Sequence, residues 1–122
     1  MMNVLITDDS AAVRKILRRV MLQTDLPFGH IYEAADGLEA LRCLRFNTVN
    51  LILSDINMPN MDGLQLLRKL KRNAEFRHIP VIMITTEGGQ AKVLEAVQQG
   101  AAGYVRKPFT AEQIQKKLQD LL

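Results

Sequence analysis

Four short apolar runs in the chain each end in a group suited to phosphate or metal chemistry. Val4 to Thr7 leads into Asp8 and Asp9, Leu51 to Ser54 into Asp55, Val81 to Ile84 into Thr85 and Thr86, and Tyr104 to Arg106 into Lys107. In an open parallel α/β sheet, ligands sit outside the carboxyl ends of the strands. If these runs are parallel neighbours, three carboxylates, a hydroxyl and an ammonium meet at one edge. Two carboxylates about 4 Å apart repel by roughly 4 kcal/mol at an effective dielectric of about 20. No basic residue flanks the acids in sequence, so the cluster asks for a cation. A hard divalent ion with oxygen ligands, Mg2+ foremost, meets that need. Asp55 closes the short run Leu51 to Ser54, where a carboxylate can serve as a covalent nucleophile toward phosphorus. A phosphoryl group offers non-bridging oxygens for a metal, the Thr85 hydroxyl and the Lys107 ammonium to take.

Taken singly, each residue has a plainer explanation. Asp8 or Asp9 could cap a helix. Asp55 could be a turn residue ahead of Pro59, Thr85 a β-branched strand end, and Lys107 a solvated lysine before Pro108. Only their joint placement at successive strand ends favours a phosphate site with a metal.

That placement depends on the elements around them. The apolar runs read as short buried strands, and helix-period segments separate them. Ser10 caps a first helix carrying Val13, Ile16, Leu17, Val20 and Met21. A shorter edge strand is expected over His30 to Ala34, and Asp36-Gly37 opens a second helix with Ala40, Leu41 and Leu44. A loop over Pro59 to Gly63 precedes a basic third helix, and Pro80 ends the connection after it. Val93, Leu94 and Val97 mark a fourth helix that Gly100 ends. Thr110 caps a last helix with Ile114, Leu118, Leu121 and Leu122. Strands alternating with helices imply a parallel sheet covered on both faces. The expectation is an α/β fold of the flavodoxin-like (βα)5 type. It is a three-layer sandwich around a five-stranded sheet whose order, 2-1-3-4-5, is borrowed from known folds with this repeat.

The 122 residues fit one domain spanning 1–122. Hydrophobic content of 48% and charged content of 24% are ordinary for a globular domain. No apolar run approaches the ~20 residues that span a bilayer, and the start lacks a signal-peptide pattern. A cytoplasmic location is expected. Cys43 is the single cysteine, which leaves no internal disulfide. His30 and His78 stand apart, with no second ligand at metal spacing. The net charge is +3, but the bases are scattered and no aromatic residue interleaves with a basic run, which argues against nucleic-acid binding.

Asp8-Asp9, Asp55 with Met58-Pro59 and Asp62-Gly63, Thr85, and Lys107-Pro108-Phe109 together resemble the receiver domain of bacterial response regulators, over essentially the whole chain. The resemblance implies that Asp55 accepts a phosphoryl group from a sensor histidine kinase or a small phosphodonor. It implies Mg2+ held by Asp9, Asp55 and the backbone carbonyl of Asn57, with Asp8 acting mainly through water. Thr85 resembles the switch hydroxyl, Lys107 the phosphate-sensing lysine, and Tyr104 the aromatic switch that turns inward when Thr85 moves.

Among receivers, the stretch Gly103 to Thr110, with Asn57 and Glu87, is most similar to stand-alone chemotaxis regulators. Asn57 and Glu87 then flank the phosphoryl group and tune attack by water, which implies a short-lived signal and a phosphatase partner. The fourth helix, last strand and last helix become the readout face toward a flagellar motor switch, with Val93, Tyr104 and Lys117 as contacts. Arg14, Arg18 and Val13 lie nearer the site, where a kinase could dock, although solvated arginines are the plainer reading. The basic charge departs from the acidic regulators of this type. A monomer without output domain is expected, catalysing only its own phosphorylation and dephosphorylation. The alternative is a receiver from a longer regulator with a DNA-binding or enzymatic output. A multi-turnover phosphohydrolase would need an acid/base aspartate where Asn57 stands.

Overall fold

The computed structural model describes residues 1–86 and 90–121. Strands β1 (Met2–Thr7), β2 (Phe28–Ala34), β3 (Leu51–Ser54), β4 (Val81–Thr85) and β5 (Gly103–Arg106) alternate with helices α1 (Ala11–Gln23), α2 (Gly37–Phe46), α3 (Gly63–Arg72), α4 (Gln90–Gln98) and α5 (Ala111–Leu121). The strands form one sheet in the order β2-β1-β3-β4-β5, and every pairing is parallel. The expected three-layer sandwich is the observed fold.

The central strands are apolar on both faces because both faces are covered. Leu5, Ile52, Val81 and Met83 pack toward Ala40, Leu44, Leu67 and Ala96 of α2, α3 and α4. Val4, Ile6, Leu51, Leu53, Ile82 and Ile84 pack toward Leu17, Met21, Ile114 and Leu118 of α1 and α5. The period-2 alternation of a strand sends neighbouring residues to opposite cores.

Local chemistry starts the helices where the sequence expects. The Ser10 hydroxyl accepts from the backbone N–H of Val13 at 3.2 Å, and an Asp36 carboxylate oxygen accepts from that of Glu39 at 2.9 Å. Asp62 and Gln65 form a reciprocal capping box at α3, and Thr110 with Gln113 does the same at α5.

Two expectations need correction. The edge strand is not short: β2 starts at Phe28 and, with seven residues, is longer than the other strands. Its half-exposed residues carry little hydrophobic signal, so periodicity understates its length. On α4, the apolar residues that mark the helix do not mark its buried face. Leu94 and Val97 are 57% and 56% exposed, and Ala96 is the buried residue. Ile16 on α1 is likewise 48% exposed.

Candidate functional site

The carboxyl ends of β1, β3, β4 and β5 converge as the strand order requires. Three of them, β1, β3 and β5, extend one residue beyond the strand through a backbone bond to a neighbour. Asp8 N–H donates to the Ala34 carbonyl at 3.0 Å, Asp55 N–H to that of Thr7 at 2.9 Å, and Lys107 N–H to that of Thr85 at 2.9 Å. The sheet's own ladder therefore fixes where these three side chains begin.

Asp8 and Asp55 are nearly buried, at 1% and 8% exposure, whereas Asp9 is exposed. One carboxylate oxygen from each of Asp8, Asp9 and Asp55 lies within 4.8 Å of the others. The sequence sets no base beside these acids, but the fold does. The Lys107 ammonium donates to Asp8 Oδ2 at 2.7 Å and to Asp55 Oδ2 at 3.0 Å. The second oxygens are held as well: Asp8 Oδ1 accepts from Ser10 N–H at 2.9 Å, and Asp55 Oδ1 from Ile56 N–H at 2.7 Å. Burial raises the pKa of Asp8, and the hydrogen bonds from Lys107 and Ser10 offset only part of that effect. Burial pulls Lys107 down, but its bonds to the two carboxylates outweigh it and the net shift is upward.

Three carboxylates against one ammonium leave a formal charge of −2, the complement of a divalent cation. An all-oxygen, carboxylate-rich donor set suits Mg2+, Mn2+ or Ca2+ rather than a soft metal. The residues present therefore fit the ion that the sequence implies.

The remaining expected residues are distributed around this centre. Thr85 is fully buried at the end of β4, and its carbonyl takes the Lys107 N–H. Asn57 is exposed in the loop after β3. Tyr104 is half-buried on β5 against the core under α2, α3 and α4. Glu87 falls outside the described residues. The Lys107-Pro108 bond is cis.

Sequence reasoning missed three supports. The first is Gly63, the first residue of α3. A Cβ there would strike the backbone carbonyl of Asp55, and Gly63 N–H donates to Ile56 O at 2.7 Å. The Asp62-Gly63 pair was visible, but nothing local shows that α3 starts against the backbone of Asp55. The second is Asp36, whose carboxylate accepts from the Asn60 side chain at 2.7 Å and steadies the loop after β3. Asn60 has a φ of 66°, in the left-handed region that asparagine tolerates.

The third support is a latch between α1 and β2. Glu33 accepts from Arg14 Nε and Arg18 Nε, both at 3.0 Å. Arg18 also donates to the Ile31 carbonyl at 2.8 Å, and Arg14 to the Asp8 carbonyl at 2.6 Å. These arginines are therefore not merely solvated: they tie the first helix to the edge strand and to the loop bearing the acids.

A parallel sheet of this order, with an acid cluster and a bridging lysine at its carboxyl edge, defines a doubly wound α/β domain with a candidate cation site. Residues 4–119 match the family described as the response regulator receiver domain, and the chain belongs to that family. It is 40% identical over 117 residues to the chemotaxis protein CheY-3 of Vibrio cholerae serotype O1, covering 96% of this chain and 88% of that one. It is 38% identical to the chemotaxis protein CheY homolog of Campylobacter jejuni, covering 99% of this chain and 92% of that one. Among solved structures, Vibrio cholerae CheY4 superimposes with a TM-score of 0.89 at 33% identity, covering 100% of this chain and 99% of that one. The Mn(2+)-bound form of response regulator Rcp1 gives 0.83 at 25% identity, covering 99% and 91%. The chain is thus a CheY-like receiver domain of two-component signalling.

Proposed function

We propose that the chain, as one receiver unit over residues 1–122, is phosphorylated on Asp55 in a Mg2+-dependent reaction and works in chemotaxis. The observation that carries this reading is the gathering of Asp8, Asp9 and Asp55 within 4.8 Å, with the Lys107 ammonium already on Asp8 and Asp55. Asp8, Asp9 and Asp55, with the Asn57 carbonyl, would hold the ion, which supplies charge neutralisation and orients phosphoryl oxygens when bound. That the similar response regulator Rcp1 has an Mn(2+)-bound form supports a divalent cation as ligand.

The protein's own residues do the rest. The Asp55 carboxylate attacks phosphorus, the bond from phosphorus to the donor's histidine nitrogen breaks, and an acyl phosphate forms. Lys107, freed from one carboxylate oxygen, turns to a phosphoryl oxygen, and the Thr85 hydroxyl takes another. Thr85 and Lys107 are joined by a backbone hydrogen bond, so movement of one is felt by the other. Tyr104, next along the sheet, carries the change to α4, β5 and α5. Asn57 and Glu87 tune the return attack by water. No independent substrate is turned over.

The chemotaxis names of the relatives support a sensor histidine kinase as donor, a flagellar motor switch as target, an aspartyl-phosphate phosphatase and a cytoplasmic location. No described helix is long and apolar enough to cross a membrane. The decisive experiment offers a small acyl phosphodonor with Mg2+ and reads phosphate incorporation by mass spectrometry. The wild-type chain should gain one phosphoryl group, Asp55→Asn none, and chelation of the metal should suppress the wild-type signal. Equal labelling of Asp55→Asn would remove Asp55 as the acceptor.

A further inference from the structure

Apart from Lys107, Arg14 and Arg18, the basic residues of this receiver have no role in the chemistry above. Some of them lie at the end of the molecule opposite the acids. Helix C-termini in a βα repeat lead back to the N-terminal edge of the sheet. Between the C-terminal parts of α2 and α3, at that edge, lies a groove of about 420 Å³ lined by Leu41, Arg45, Lys69, Arg72, Asn73 and Phe76. Its charged residues are all cations. Arg45, Lys69 and Arg72 are exposed, and none forms an ion pair among the described residues. Lys71, by contrast, is turned inward onto the carbonyls of Arg77 and Ile79.

Cations in a helix's last turn are favoured by the macrodipole, and that accounts for their sign. It does not account for the apolar surface between them. Leu41 and Phe76 form the half-buried floor. A second hollow of about 350 Å³ continues from Arg45 and Phe76 to Phe46, which is 79% exposed, more than any other phenylalanine or tyrosine among the described residues. In space, then, aromatic and basic residues do interleave, although they do not in sequence.

We infer that this α2–α3 groove is a second docking site, taking a short acidic segment of a partner protein that carries an apolar anchor residue. Charge complementarity selects an acidic partner, and the apolar floor between the cations selects one with a side chain to bury. A nucleic-acid backbone fits less well. Glu75 lines the adjoining hollow, and Glu39 stands with Arg42 and Phe46 beyond it, so carboxylates interrupt a longer phosphate track. Because the groove opens at the sheet edge remote from Asp55, occupation is independent of phosphorylation. It holds the chain to a partner in both signalling states.

The test measures fluorescence anisotropy of a labelled acidic peptide, glutamates flanking one central phenylalanine, against the full chain. Wild type and Asp55→Asn should bind it alike, with or without Mg2+ and phosphodonor. Combined Arg45→Glu and Arg72→Glu should weaken binding by about tenfold or more, while Arg19→Glu on the far face of α1 should not. Circular dichroism and the Mg2+-dependent thermal shift report whether the double variant is folded. If it is not, the paired Arg45→Gln and Lys69→Gln variant must show the loss instead. Equal loss in Arg19→Glu, unchanged binding in the folded double variant, or tighter binding of labelled single-stranded DNA than of the peptide would each overturn the proposal.

Discussion

Asp8 and Asp55 share one ammonium, and that shared bond governs the resting energetics of the site. Asp8 is buried, and its pKa is raised by that burial. Folding thus favours its protonated form, so the stability it contributes is present at low pH and is lost as pH rises above 3.8 through the folded-state value. At neutral pH an ionised Asp8 is a cost that a cation relieves. Asp8→Asn should therefore raise metal-free stability by about 1 kcal/mol, roughly 3–6 °C in Tm. It should also abolish stabilisation by added Mg2+, which in the wild type grows with metal concentration by mass action. Thermal melts with and without Mg2+ check both, and an unchanged or lower metal-free Tm would show that Lys107 already balances the site. Asp9 is exposed and should give a smaller metal-free gain, because water screens its charge.

At the scale of elements, α3 and α4 contrast. Leu64, Leu66, Leu67 and Leu70 of α3 are each no more than 2% exposed, and burying a leucine stabilises by about 1.5–3 kcal/mol. Among the described residues, α4 buries Ala96 alone in its core-facing row and sends Leu94 and Val97 outward. One helix is an anchor; the other is lightly held, which suits the switching role proposed for it. Two glycines test the anchoring. A Cβ at Gly63 meets rigid backbone, whereas one at Gly37 meets the flexible Met61 side chain. Gly63→Ala should cost about 3 kcal/mol or more, against about 1–2 kcal/mol for Gly37→Ala, in urea unfolding.

The α1–β2 latch gives a pH signature. Burial raises Glu33, but the bonds from Arg18 and Arg14 prevail and its net pKa is lowered. Its contribution is present above 4.5 and fades as pH falls through the folded-state value below that. Glu33→Gln should cost about 0.5–1 kcal/mol at neutral pH, since the pair is partly solvated. The difference from wild type should vanish in strong acid. A constant difference across pH would assign the effect to packing instead.

For the molecule as a whole, switching should be confined to one half. Hydrogen exchange with Mg2+ and a beryllofluoride mimic of the phosphoryl group should alter protection in β4, α4 and β5 while β1 and β2 stay as they were. Changes spread evenly over the sheet would argue against a localised readout. Much of this architecture was legible because it is local. Strand ends, the Ser10, Asp36 and Thr110 caps, and the alternation of buried runs are written in neighbouring residues. The unread parts join distant ones. Lys107 reaches Asp8 across 99 residues and Asp55 across 52, so the convergence could be expected but not the ammonium's position between the acids. Glu33 and its arginines lie on different elements. The outward face of α4 depends on which helices flank it, and periodicity is silent on that.

The contact between Gly63 and the backbone of Asp55 has a consequence for how information leaves the site. If Asp55 is the acceptor, it sits on an anvil: helix α3 and the residue after β3 meet there main chain to main chain, with no side chain between them to yield. A newly attached group cannot announce itself by recoil of the residue that carries it. Such an acceptor would stay still while its listeners move, and the geometry awaiting a phosphate would be cast before any phosphate arrives. Off and on then differ in who is bonded to a stationary object, and the message can travel only toward the side that is free to turn.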